Sequence, residues 1–241
     1  MDRRGFLYTA VGSLLLGPQL LAQSEEASRI AILTGRKSPK LYGVNHKLQK
    51  EASDAFEKMR QAALEDGVKL FSVSSHRNFN AQLRIWNSKY DKFRKQGLKG
   101  KQIINKIIEY SAFPGASRHH WGTDLDISDL NVLQPADPLN PKHFLKGGIY
   151  NKMYAWMQKN ASTYGFYEAY TNDKDRKGYK FEPWHYSYKP LSLPMLQEYK
   201  AVKFEKHIKS EQIKGHKYID KAFWEKYKDE YVLGINKALL D

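Results

Sequence analysis

The sequence predicts an α+β fold, a small and mostly antiparallel sheet with packed helices, followed by a helical C-terminal extension. Three observations predict it. Several segments space their apolar residues with the period of a helix, two short stretches alternate with the period of a strand, and glycines and prolines mark the joins. At 241 residues the chain is long enough for one domain with a sizeable core, so folding requires neither disulfides nor structural metals. Hydrophobic residues make up 41% and aromatic residues 13%, which excludes wholesale disorder. No internal repeat is present.

The first 22 residues read as an export signal. Arg3 and Arg4 precede Gly5 and an apolar run from Phe6 to Ala22 that Gly12, Gly17 and Pro18 interrupt. That run is too short and too broken for a stable transmembrane span and fits a secretory signal cleaved near Ala22, with an uncleaved anchor helix as the alternative. The stretch RRGFL resembles a twin-arginine signal, which exports folded proteins. Residues 23–43 read as a polar lead-in.

Residues 44–66 place Leu48, Ala52, Ala55, Phe56, Met59 and Ala63 on one helical face, and Gly67 ends that helix. VKLFSVSS alternates as a strand. Helices are expected over about 80–96 and over KQIINKIIEY. TDLDISDL alternates Asp124, Asp126 and Ser128 against Leu125 and Ile127, as a half-buried strand does. Residues 129–148 form a loop rich in Pro, Asn and Gly, long enough to be a site lid. A helix over 149–164 turns Met153, Trp156, Met157 and Ala161 inward. YKFEPWHYSY reads as a short strand. From Met195 to the end the chain is helical and amphipathic, with Phe204, Ile208, Phe223, Trp224, Tyr227, Tyr231 and Ile235 among lysines. His46, His143, His207 and His216 sit in polar surroundings and are expected to face solvent. The domain boundaries are therefore 44–190 for the main domain and 191–241 for the extension.

Cysteine is absent, which excludes disulfides, a thiol nucleophile and thiolate metal ligands. The formal charge of +14 suits an anionic partner such as nucleic acid, lipid headgroups or a cell-wall polymer. Export disfavours nucleic acid.

Two stretches carry ligand-type side chains. SRHHWGTDLDISD offers His119 and Asp126 on either side of Gly122, with His120 as a competing ligand, and EPWHY offers Glu182 and His185. Catalytic zinc needs three such ligands, an open position for water and a base. In a flat strand Glu182 and His185 face opposite ways, but Pro183 cannot pair in a ladder and forces an edge or bulge that turns both toward one pocket.

PGASRHHWGTDLDI followed by EPWHY resembles the zinc D-alanyl-D-alanine carboxypeptidases, among them the vancomycin-resistance D,D-carboxypeptidases and related L,D-carboxypeptidases. Ser117, His119, Gly122 and Asp126 fall on one family motif, and Glu182, Trp184 and His185 on a second. The resemblance covers roughly residues 45–190. It implies one Zn2+ held by His119, Asp126 and His185 in a cleft, with Glu182 as general base. VSSHRNFNAQ resembles a further family segment and implies that Arg77 and Gln82 face the substrate, the arginine against the oxyanion or a substrate carboxylate. Ser117 and Trp184 complete the expected substrate contacts, although Trp184 equally suits core packing. Two departures stand out. His76 replaces a tyrosine, and Asp124 replaces a small residue, either facing Asp126 in the pocket or pairing with Arg118.

The expected function is a zinc-dependent carboxypeptidase that removes the terminal D-Ala of peptidoglycan stem peptides outside the cytoplasm. An L,D-carboxypeptidase, D,D-dipeptidase or cell-wall endopeptidase on the same scaffold is the near alternative. A non-catalytic wall-binding protein is the distant one. The anionic cell wall is the expected partner surface.

Overall fold

The computed structural model describes residues 7–203 and 211–241, with side chains from residue 20 onward. The expected arginine pair Arg3 and Arg4, together with Phe204, His207 and Ile208, lies outside the described residues. Seven α-helices are described: α1 (Leu7–Leu33), α2 (Lys50–Glu65), α3 (Phe79–Lys95), α4 (Lys101–Ile107), α5 (Asn151–Asn160), α6 (Lys189–Lys200) and α7 (Lys221–Tyr227). Four strands, β1 (Leu70–Ser74), β2 (Asp124–Asp129), β3 (Phe166–Glu168) and β4 (His185–Tyr188), form one antiparallel sheet in the order β1-β2-β4-β3. Among the described residues no helix is long and apolar enough to cross a membrane.

The sheet separates two unlike environments. One face is apolar: Leu70, Leu125, Ile127, Phe166 and Tyr186 pack with Ala52, Phe56, Met59 and Ala63 of α2 and with Met153, Trp156 and Met157 of α5. These are the helix positions that the apolar spacing singles out, and burying each large side chain contributes about 1.5–3 kcal/mol. The opposite face is polar, and it too is buried. Asp124, Asp126 and Ser128 of β2, with His185 and Ser187 of β4, are all withdrawn from solvent. The expectation of a half-buried β2 is therefore corrected: β2 and β4 are central strands covered on both sides, and a polar alternation here marks a buried polar layer.

A second core covers the flank of that layer. Trp86 of α3, Ile103, Ile104 and Ile107 of α4, Phe113 and Trp121 pack with Leu196, Tyr199, Ile213, Tyr227, Val232 and Leu239 from the C-terminal extension. After α6 the described part of the extension is built of short helical pieces, with α7 running into a π-helical turn at Lys228–Val232, and its apolar residues pack on α3 and α4. Tyr227 Oη accepts from Phe113 N at 2.9 Å, and Tyr199 Oη donates to Gly115 O at 2.7 Å. Trp86 Nε1 donates to Lys214 O at 2.9 Å.

Three further expectations change. Residues 24–33 of the lead-in are helical and belong to α1, where Ile30 and Leu33 lie one turn apart against the second core and Arg29 pairs with Glu198 at 2.7 Å. The strand expected over YKFEPWHYSY is confined to β4. Glu182, Pro183 and Trp184 form a turn before it, closed by His185 N donating to Glu182 O at 3.0 Å. The edge strand β3 is too short for its alternation to register. Finally, His46 is buried, with Nε2 at 2.8 Å from Ser53 Oγ.

Tyr227→Phe strands the buried Phe113 N–H, and is expected to lower unfolding free energy by about 1–3 kcal/mol in urea titrations. Glu168 supplies a pH-dependent contribution. Burial lifts its carboxyl to about 7, against hydrogen bonds from Gln158 and Tyr154 that favour the charged form. A raised carboxyl contributes stability that is present below the unfolded value near 4.5 and is lost as pH rises through about 7. Glu168→Gln is therefore expected to flatten the fall in melting temperature between those two pH values.

Candidate active site

The polar face of the sheet converges on one point. Asp126 and His185 are directly paired in the β2–β4 register, so their side chains leave the same face side by side. His119 reaches them from a short 3-10 turn, Arg118–Trp121, that ends at Gly122 with φ 68°. That left-handed conformation is open to glycine, and a Cβ there would stand 2.8 Å from Leu41 Cδ2. Among the described residues, His119, Asp126 and His185 form the group whose ligand atoms all lie within 4.8 Å of one another.

Hydrogen bonds set which atom each residue presents. His119 Nδ1 lies 2.7 Å from Ser75 O, which can only accept, so the ring proton sits on Nδ1 and the bare Nε2 faces Asp126 Oδ2 at 3.4 Å. Burial and the neighbouring Arg77 charge lower the His119 imidazole, while Asp126 pulls the other way. His185 Nε2 donates to Asp124 Oδ1 at 3.0 Å, which leaves Nδ1 at 3.4 Å from both Asp126 Oδ1 and Glu182 Oε2. Burial alone would lower His185, but Asp124, Glu182 and Asp126 outweigh it and lift the imidazole to about 9. Burial likewise opposes ionisation of Asp126, yet His119, His185 and Arg77 hold its carboxyl at about 2.

Two acceptors, His119 Nε2 and Asp126 Oδ1, are thus buried with no hydrogen-bond partner. Buried acceptors left unpaired within one such group call for a cation. Two ligands about 2.0–2.1 Å from a tetrahedral zinc stand about 3.3–3.4 Å apart, which matches the separations here. The donor set, two imidazoles and a carboxylate with no thiolate, fits that ion.

Asp124 supports this arrangement from behind. It pairs with Arg118 Nε at 2.8 Å and also accepts from Thr123, His185 and Ser187. Its place on the sheet is therefore the Arg118 side, and it fixes the His185 ring in the manner of a carboxylate behind a metal-bound histidine. His120 is excluded as a competing ligand: its Nδ1 donates to Arg77 O at 2.6 Å and its Nε2 accepts from Gly115 N at 3.1 Å.

The site opens into a cleft of about 700 Å³. Arg77, Asp126, Glu182, Trp184 and His185 lie along it, with Asp137, Leu139, Asn140 and Pro141 of the long loop forming one wall. Burial raises the Glu182 carboxyl above its ordinary value, although His185 pulls the other way. Arg77 Nη2 stands 4.0 Å from Asp126 Oδ2. Trp184 serves both readings, lining the cleft while packing on Phe144 at 5.7 Å between ring centres. Gln82 and Ser117 are placed differently. Gln82 is buried and its amide donates to Ala112 O at 2.7 Å, pinning the chain before the Phe113–Ser117 turn. Ser117 is buried at the start of the His119 turn, with its carbonyl accepting from His120 N. Neither lines the cleft.

Sequence reasoning missed Tyr170, whose ring packs on His185 at 4.9 Å, and the cleft residues Lys89 and Ser111. In a chain with 40 Lys and Arg, one lysine carries no signal of its own. Its position seven residues beyond Gln82, on the same helical face, could have singled it out.

The model of the VanY family, described as D-alanyl-D-alanine carboxypeptidase, matches residues 45–191. The chain belongs to this family. Among curated relatives it is 32% identical over 148 residues to the putative carboxypeptidase YodJ of Bacillus subtilis, covering 58% of this chain and 46% of that one. The chain thus spans about half the length of that relative. Among solved structures, VanYB in complex with D-alanine-D-alanine aligns with a TM-score of 0.54 at 22% identity, over 73% of this chain and 91% of that one. A mutant of the vancomycin-resistance D,D-pentapeptidase VanY in complex with Zn(II) aligns with a TM-score of 0.51 at 22% identity, over 72% and 90%. These two likenesses are of fold, and the second family member carries the ion that the His119, Asp126 and His185 group fits.

Asp124→Asn removes the charge that orients His185. Zinc affinity measured by calorimetry is expected to fall about 10- to 100-fold. The same variant leaves Arg118 without its buried partner, so its melting temperature is expected to drop as well. Unchanged affinity would mean that Asp124 serves Arg118 alone.

Proposed function

We propose that this protein is an exported zinc-dependent carboxypeptidase that hydrolyses the terminal D-Ala peptide bond of peptidoglycan stem peptides. The observation that carries the reading is the buried His119, Asp126 and His185 group with its unpartnered acceptors, opening into a cleft beside Glu182.

His119 Nε2, an Asp126 carboxylate oxygen and His185 Nδ1 would hold the ion. When bound, zinc polarises the scissile carbonyl and lowers the pKa of a water molecule to about 7. Glu182 takes the proton from the attacking water and returns it to the leaving amine, a double duty suited to a carboxyl that burial has made more basic. The Arg77 guanidinium, a rigid fork of N–H donors, faces the developing oxyanion or the substrate carboxylate. Trp184 forms an apolar wall that excludes water from one side. The twin-arginine-like start supports export, and the charge of +14 supports residence beside an anionic wall.

Purified protein incubated with zinc and a synthetic stem pentapeptide ending in D-Ala-D-Ala is expected to yield the tetrapeptide and free D-Ala, read by mass spectrometry. Release of a dipeptide, or cleavage of the tetrapeptide alone, would reassign the scissile bond. Glu182→Gln is expected to bind zinc normally while losing about 100- to 10,000-fold in turnover. Near-normal turnover in that variant would remove Glu182 from the mechanism.

A further inference from the structure

Along α3, Ile85, Lys89, Lys92 and Phe93 form one stripe at helical spacing, and all four line the cleft opposite the long loop. Lys89 is the inward one of the two lysines. Its Nζ donates to Ser111 Oγ, and Ser111 lines the cleft beside it. Lys89 makes no ion pair with any described residue, and Ser111 is a neutral partner. Burial lowers the Lys89 ammonium, and the charges of Glu182 and Asp137 only partly offset this against those of Arg77 and Lys92. A half-withdrawn cation with no carboxylate in contact is costly unless a ligand supplies one.

The chemistry of the pair defines that ligand. An ammonium has three N–H donors and uses one on Ser111. Because Ser111 Oγ accepts from Lys89, its own O–H is free to point elsewhere. Two adjacent donors, one charged, are left facing the cleft. That arrangement matches the two oxygens of a carboxylate.

We propose that Lys89 and Ser111 form a carboxylate seat in the cleft, distinct from Arg77, that selects peptides carrying a free carboxylate at that position. The inference rests on the cleft being the peptide site of the proposed carboxypeptidase. The carboxylate is either the free C-terminus of the peptide or an internal carboxylate of the stem.

Binding separates this from catalysis. The full chain carrying Glu182→Gln and loaded with zinc is titrated with stem pentapeptides by calorimetry, with and without Lys89→Met. Three peptides are compared: both carboxylates free, the C-terminus amidated, and the internal carboxylate amidated. Lys89→Met is expected to weaken binding of the free peptide about 10-fold or more, the loss of one charge-assisted hydrogen bond. Lys89→Arg should restore most of it, and Ser111→Ala should weaken binding less. The penalty vanishes on the peptide whose amidated group is the seated one, which names the carboxylate. An equal penalty on all three peptides, or none, overturns the seat while leaving the hydrolase reading intact. Absence of any peptide binding before Lys89 is altered overturns both. A melting temperature for Lys89→Met equal to its parent excludes a folding defect as the cause.

Discussion

The Asp124 carboxylate accepts hydrogen bonds from Arg118, Thr123, His185 and Ser187, and this buried cluster is what allows a second carboxylate, Asp126, to stand two residues along on the same strand face. Burial raises the cost of every charge on that face, so each must be compensated locally. Asp124 is compensated by the Arg118 cation, by the His185 imidazole and by the Thr123 and Ser187 hydroxyls, which holds its carboxyl well below the usual range. Asp126 is compensated by the imidazoles and Arg77 and retains an oxygen with no donor. The two carboxylates therefore play different parts although both point off one strand. One is saturated by protein and the other is left available.

The cleft that leads to this face is electrostatically divided. Its floor is anionic at Asp126 and Glu182, while the α3 side carries Arg77, Lys89 and Lys92 and the loop side carries Asp137. A peptide with a negative terminus meets attraction along α3 and repulsion from the loop and floor, so the charge pattern orients it before any close contact forms. A divalent cation on the floor would reverse the sign only there, drawing a carbonyl oxygen inward while the α3 side keeps the anion. Position along the cleft, more than overall basicity, is then what the charges specify.

How much of this could be read from the residues depends on whether the signal is local. The α2 face was legible because four buried apolar positions fall on one helical stripe, and the His119, Asp126 and His185 group was legible because glycine and proline bracket it at short range. The family resemblance reached the same His119, Asp126, Glu182 and His185 independently. What failed was anything set by coverage. Alternation in TDLDISDL looks the same whether its polar side meets water or a second layer of protein, and only the packing of distant segments decides between them. The Glu182–His185 geometry was placed in the right pocket for a related but different reason: Pro183 makes a turn ahead of β4 instead of a bulge within it. Lys89 was missed because one lysine among 40 Lys and Arg stands out only through its helical spacing from Gln82 and its place in the cleft.

The extension belongs in any account of the site because of where its tyrosines bond. Phe113 and Gly115 lie in the turn that delivers His119, and Tyr227 and Tyr199 satisfy one backbone group on each. Gln82 holds the residue just before that turn from the other side. Those backbone groups are buried, so without their side-chain partners the turn would have to open to water or rearrange. The His119 imidazole is positioned by a carbonyl on the β1 exit and by the path of this turn, and a shift of either would separate Nε2 from Asp126 Oδ2. Precision at the metal group therefore depends on residues 84 and 114 positions downstream of the turn, which ties a segment outside the family-matched region to the chemistry inside it.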